Sequence, residues 1–257
     1  MKVTLITGAS SGIGEAFARR LAADGHDLVL TARSQTRLHE ICDELMLRHR
    51  ITAHYIVLDL AAAGTDERLF AETEKHGFEV EWLINSAGFG SMGDFSVLDI
   101  DHELNMIRVN VLALTALTHR YLTGMRNRGK GTIINVSSAA GFQPIPFMAT
   151  YAATKAYVTS FAEALAQENR AHGIRVMAIC PGPTKTNFFR ASKIDDPLQI
   201  KGVQTAEEVV DAALKGLKKG KSKVISGWAN VASSILGRVV PTSVSTRVIA
   251  RSLRNRF

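Results

Sequence analysis

Thr7-Gly8-Ala9-Ser10-Ser11-Gly12-Ile13-Gly14 follows an apolar run, Val3 to Thr7, that has strand character. After it, Phe17 and Leu21 recur at helical spacing. A strand, a glycine-rich turn and a helix, in that order, make a cradle for phosphate groups. Gly8 permits a tight turn, Gly12 lets backbone approach a pyrophosphate, and Gly14 lets the helix pack close to the strand. The helix N-terminus then offers free N–H groups and the positive end of its dipole. An isolated glycine triplet also describes an ordinary turn; the flanking periodicities favour the cradle.

Outward from this turn the chain alternates. Strands are expected over 3–7, 27–31, 53–58, 80–84, 132–136, 174–179 and 223–226. Helices are expected over 13–23, 34–48, 65–76, 101–127, 151–171 and 206–219. This predicts an α/β fold, a Rossmann-type doubly wound parallel sheet with ligands at the carboxyl ends of its strands. A chain of 257 residues suits one such domain, assigned to 1–227, with a helical C-terminal extension over 228–257.

Composition excludes several classes. Hydrophobic residues make up 46% of the chain, too many for a disordered protein. The first strand is expected to begin at residue 2 or 3, so a signal peptide is not expected. No apolar run reaches the ~18 residues of a spanning helix. The two cysteines, Cys42 and Cys180, suggest a reduced compartment rather than a disulfide framework. Cys180 ends an apolar run and reads as a buried structural thiol. No metal-ligand set, internal repeat or low-complexity stretch is read.

Tyr151 and Lys155 are four residues apart, and Ser138 lies thirteen residues before the tyrosine. Residues i and i+4 share a helix face, so the ammonium can lie beside the ring and favour phenolate. That matters because a tyrosine hydroxyl titrates near pH ~10 in water and is a poor proton shuttle at neutral pH. Ser138 closes the strand run Thr132 to Val136, which can bring its hydroxyl to the same substrate oxygen. Alone, Tyr-x-x-x-Lys equally describes an exposed helix pair.

The glycine turn, Asp59-Leu60, Asn85-Ser86-Ala87-Gly88, Asn110, Ser138, Tyr151-Ala152-Ala153-Thr154-Lys155 and Pro181-Gly182 follow one another in the chain. In that set the sequence resembles the short-chain dehydrogenase/reductase family from Lys2 to about Thr186, with a weaker match to about Gly227. Ser86 departs from the pattern, which usually has a second asparagine at this mainly structural position. The resemblance implies that Gly8, Ser10, Ser11, Gly12, Ile13 and Gly14 hold a dinucleotide, with Asp59 at the adenine amino group. It puts Asn85, Ala87 and Gly88 along the cofactor cleft. Pro181, Gly182, Thr184 and Thr186 would hold the nicotinamide carboxamide, Thr184 by its backbone and Thr186 by its hydroxyl. Asn110 would place a water that relays protons to Lys155, and Lys155 would also contact the nicotinamide ribose. Other readings stand beside these: Asp59 as a helix cap, Asn110 as a polar residue in a long helix, and Pro183 as a loop entry.

Cofactor choice turns on Ala32 and Arg33. Ala32 occupies the place where NAD-using family members carry aspartate, and the Arg33 guanidinium suits a 2′-phosphate. NADP(H) is therefore expected. Ser11 stands where such proteins often have a second basic residue, so an incomplete preference is expected. The implied activity is interconversion of a carbonyl and a secondary alcohol. Phe142, Ile145, Phe147 and Met148, with a lid expected over Phe188 to Val203, suggest an apolar or acyl-type substrate such as a 3-oxoacyl compound, a steroid or another hydrophobic ketone. The alternative is a non-catalytic NADP(H)-binding regulator. The complete Asn110, Ser138, Tyr151 and Lys155 set argues for the enzyme.

The tail is distinctive. After Asp211 there are ten of the 31 basic residues and none of the 24 acidic ones. In the extension, Trp228, Val231, Ile235 and Val239 share one helix face, and Pro241 breaks the chain. Ile249, Leu253 and Phe257 then line one side of a second helix, with Arg247, Arg251 and Arg254 on another. A basic amphipathic helix suits peripheral contact with an anionic membrane, an oligomer contact or a cap over the substrate mouth. Nucleic acid is not expected, since interleaved aromatics and a reading motif are missing. The resemblance implies a homodimer or homotetramer built on the helices around 101–127 and 151–171, and a cytoplasmic location is expected.

Overall fold

The computed structural model of the protein describes residues 1–188, 192 and 203–254. The chain begins β1 (Lys2–Thr7), α1 (Gly12–Ala23), β2 (Leu28–Ala32), α2 (Gln35–His49), β3 (Ala53–Val57), α3 (Thr65–Lys75) and β4 (Glu79–Asn85). It continues with α4 (Ile100–Ile107), a π turn (Arg108–Ala113), α5 (Leu114–Arg128), β5 (Gly131–Val136), α6 (Ala149–Asn169) and β6 (Ile174–Cys180). Last come α7 (Ala206–Lys218), β7 (Lys223–Ile225), α8 (Trp228–Val239) and α9 (Thr242–Arg254).

The seven strands are all parallel and lie in the order β3-β2-β1-β4-β5-β6-β7. The chain runs outward from β1 in one direction, then returns to β4 and runs outward in the other. The reversal opens a crevice at the carboxyl ends of β1 and β4. Successive strand residues point to opposite faces, so Leu5 and Ile6 enter different cores. One core packs Phe17, Leu21, Ile41, Leu45, Val209 and Leu217 on the sheet; the other packs Leu69, Leu117, Tyr121 and Met125. A capping box of Thr205 and Glu208 starts α7.

One expectation needs revision. The helix expected over 101–127 is interrupted by the π turn at Arg108–Ala113. That turn carries Asn110, whose buried amide finds its partners inward. The expected lid, apart from Phe188, Ser192 and Val203, lies outside the described residues. In α9, Leu253 is buried and Ile249 half-buried, while Arg247, Arg251 and Arg254 are exposed together with Val244 and Val248. Phe257 and the side chains of Ile235 and Val239 lie outside the described residues.

Candidate active site

The nucleotide end begins where β1 stops. Gly8 has φ 66° and Gly12 has φ 59°, a left-handed conformation that glycine adopts without a side-chain clash. A side chain on Gly14 would collide with the Gly8 carbonyl. The Thr7 hydroxyl oxygen accepts from the backbone N–H of both Ser86 and Ala87, each at 3.1 Å, which ties the ends of β1 and β4 across the crevice. Ser11 stands at the N-cap of α1 in an extended conformation and makes no side-chain capping bond, so its hydroxyl leaves the first N–H groups of the helix unclaimed. Ser10 and Ile13 flank this turn and are half-buried.

Arg33 leaves the end of β2 exposed and makes no ion pair among the described residues. Arg37, one turn into α2, is held by Glu15 at 2.8 Å and Glu40 at 2.9 Å. Among the described residues, the guanidinium at this end that has no ion pair is therefore that of Arg33. Asp59 is exposed after β3, and its carboxylate accepts from Ala61 N at 3.0 Å. It shapes a short turn rather than capping α3, whose N-cap is Gly64. A glycine cradle with a free arginine beside it fits a dinucleotide whose ribose carries a phosphate.

Asn85 turns its side chain into the sheet. Its side chain is buried, with the amide donating to Thr118 Oγ1 at 3.1 Å and Asn135 Oδ1 at 2.9 Å. Its amide joins β4, β5 and α5, because a buried amide must spend its donors on partners inside the fold. Gly88 does border the reaction end. A Cβ there would stand 2.9 Å from Asn110 Oδ1 and 3.4 Å from Lys155 Nζ. Ala87 lies against Gly8.

At the reaction end, Asn110, Ser138, Tyr151 and Lys155 are all buried. Ser138 follows β5 and hydrogen-bonds the Tyr151 hydroxyl; its own oxygen accepts from Ala140 N at 3.1 Å. Tyr151 sits in the first turn of α6. Lys155, one turn on, has Nζ 5.8 Å from the tyrosine ring centre and donates to Val136 O at 2.9 Å. Asn110 donates to Phe89 O at 2.9 Å and Thr154 Oγ1 at 3.2 Å, and accepts from Phe89 N at 3.2 Å. Burial pushes Lys155 down to about 8. Burial also pushes Tyr151 up to about 12, opposed by the bond from Ser138. The phenol was expected to be lowered by the lysine; lost solvation dominates its shift instead, and the same burial disfavours charge on the lysine.

The Pro181–Thr186 loop closes the far side. Pro181 O accepts from Ala139 N at 2.8 Å. Thr184 Oγ1 donates to Gly182 O at 2.9 Å, and Phe188 N donates to Thr186 Oγ1 at 3.2 Å. The Thr186 side chain lies over Gly12. The Phe188 ring stands 5.3 Å from the Tyr151 ring, and Ser192 Oγ accepts from Gly90 N at 2.8 Å. Sequence reasoning missed Thr7, Thr154 and Ser192 as supports; each acts through a distant backbone or side-chain partner that local spacing does not reveal. Within the motif Tyr151 to Lys155, the hydroxyl of Thr154 was the available clue.

A parallel sheet with a phosphate cradle at its crevice, facing a buried tyrosine, lysine and serine, defines a dinucleotide-dependent oxidoreductase. The family model for short chain dehydrogenase matches residues 2–196. Very-long-chain 3-oxoacyl-CoA reductase of Mus musculus is 30% identical, over 98% of this chain and 81% of its own. A short-chain dehydrogenase from Sphingobium yanoikuyae, solved in complex with NADPH, superposes with TM-score 0.83 at 30% identity, covering 94% of this chain and 97% of its own. A 7beta-hydroxysteroid dehydrogenase structure gives TM-score 0.88 at 28% identity, covering 97% of this chain and 96% of its own. This chain belongs to the short-chain dehydrogenase family and is an oxidoreductase of that kind.

Proposed function

We propose that the protein is an NADP(H)-dependent carbonyl reductase that interconverts a hydrophobic ketone, of 3-oxoacyl or similarly bulky type, with its secondary alcohol. The observation that carries this reading is the buried set Asn110, Ser138, Tyr151 and Lys155 facing the glycine turn. Gly8, Ser10 to Gly14, Arg33, Asp59, Gly88 and the Pro181–Thr186 loop would hold the cofactor, which supplies hydride when bound. Ser138 orients the carbonyl oxygen, and Tyr151 donates a proton to it. Charged Lys155 makes that phenol a better donor, and Asn110 holds the adjoining backbone and a relay water. Low exposure excludes bulk water and strengthens each of these interactions.

The substrate class is argued from apolar Phe188 beside Tyr151 and from the 3-oxoacyl-CoA reductases among the relatives. Oxidation of NADPH with long-chain 3-oxoacyl thioesters, steroid ketones and small charged ketones tests it. Turnover confined to the bulky apolar members supports the proposal; turnover of the small charged ones alone contradicts it. No turnover of any member, despite NADPH binding, would favour the regulator.

The assembly reading is a homodimer or homotetramer, supported by exposed Leu104 on α4, Leu112 in the π turn and Tyr157 on α6. The location reading is the cytoplasm with peripheral contact to anionic membrane. Its support is the exposed face of α9, where Val244 and Val248 lie among three arginines, and Trp228, exposed at 85%. Among the described residues no helix is long and apolar enough to cross a membrane. Co-sedimentation with anionic vesicles, lost in an Arg247→Glu/Arg251→Glu variant, is the expected result.

A further inference from the structure

The helical extension reaches the reaction end through one residue. Asn230, in the first turn of α8, lies on Gly182 so closely that a side chain on that glycine would collide with the Asn230 amide. The amide nitrogen donates to Ser226 O at 2.7 Å and lies 3.5 Å from Gln204 Oε1. The Ser226 hydroxyl donates to the same Gln204 oxygen at 2.8 Å. Gln204 in turn grips the Pro181–Thr186 loop by backbone: its N donates to Pro183 O at 3.1 Å, and its O accepts from Lys185 N at 2.8 Å. Gly227, with φ 81°, makes room for this; a Cβ there would stand 3.0 Å from both Asn230 and Gln204. At the other end of the loop, Pro181 O accepts from Ala139 N and lies 3.5 Å from Ser138 Oγ. Helix α8 also lies against the 3-10 turn Ala139–Phe142 that follows Ser138.

We infer that Asn230 is a positioning residue: through Gly182 and Gln204 it fixes the loop that closes the nicotinamide end of the cleft and supports Ser138. Packing alone does not require an amide at this point. An apolar side chain would fill the same space, whereas Asn230 spends its donor on the turn that carries Ser226 and Gly227. The loop is thus held from both sides, by Ala139 on the serine side and by Gln204 on the extension side. Removal of the extension-side grip leaves Gly182 free to move relative to Ser138.

The functional half of this inference rests on the cofactor reading above, so its test is built to separate the two. Asn230→Asp removes the donor at constant size, Ser226→Ala removes the second bond to Gln204, and Trp228→Ala on the exposed start of the same helix is the control. Amide hydrogen exchange is followed over 181–186 in the full-length protein without cofactor, alongside NADPH affinity by fluorescence titration and thermal midpoints. The expected result is faster exchange in that loop for both variants, with exchange in β1 unchanged. NADPH affinity falls about fivefold, the scale of one lost hydrogen bond. The control matches the natural protein. Unchanged exchange at 181–186 overturns the inference. So does faster exchange with unaltered NADPH affinity and kcat, since the residue would then be merely structural. Failure of the natural protein itself to bind NADPH overturns the cofactor reading and this role with it, while the exchange data still report the latch.

Discussion

The two ends of the cleft are built in opposite ways. At the adenosine end, Arg33 and Asp59 are exposed, and Arg33 makes no ion pair among the described residues. At the reaction end, Asn110, Ser138, Tyr151 and Lys155 are buried and bonded to one another's surroundings. Charge in water is screened, so recognition by Arg33 is worth little per contact and weakens with salt. Polar groups out of water interact strongly and are costly to leave unpaired. The exposed end can therefore select a cofactor, while the buried end can change a reaction barrier.

Substitutions should follow that division. Ser138→Ala removes the hydroxyl proposed to orient the carbonyl oxygen and is expected to lower kcat by about 10², with NADPH affinity kept. An effect under about threefold would break the contrast between the ends. Lys155→Met is expected to cost about 30-fold at neutral pH, less than the ~10² or more of lost general acid catalysis, because the phenol itself remains. It should also change the pH profile. Lys155, pushed down to about 8, loses its proton as pH rises through that value, and the Tyr151 phenol then becomes a weaker donor. Reduction by the natural protein should thus fall on an alkaline limb near 8. The methionine variant has no proton to lose there and should lack the limb; its persistence would assign the limb to another group.

Smaller effects belong to the open end. Arg33→Ala should raise KM for NADPH about tenfold and leave KM for NADH nearly unchanged, the difference shrinking at high salt. Equal changes for both cofactors would remove Arg33 from 2′-phosphate recognition. Asp59→Asn keeps the size and one acceptor oxygen, so a change of about threefold or less in NADPH affinity is expected. A larger loss would show that the open end holds its ligand more tightly than its exposure suggests.

The same division governs what could be read from the chain. Glycine-turn sterics, strand runs and the one-turn spacing of Tyr151 and Lys155 are local, and they stand where the sequence puts them. The facing of α9 was also legible, because Ile249 and Leu253 repeat at helical spacing. The π turn was not: it accompanies bonds from Asn110 to Phe89 and Thr154, residues remote in the chain. Asn85 turns inward because Thr118 and Asn135 wait there, again a long-range fact. The direction of the Tyr151 shift depends on how completely the fold removes water, which no residue spacing encodes. Asn230 belongs to the same group, since nothing near it in sequence marks Gly182 as its seat.

The most direct test sets binding against chemistry in Tyr151→Phe. NADPH affinity and turnover of a long-chain 3-oxoacyl thioester are measured on the natural protein and this variant under identical conditions. If the buried phenol delivers the proton, affinity stays within about twofold while turnover drops by at least ~10². Turnover close to that of the natural protein would contradict the account.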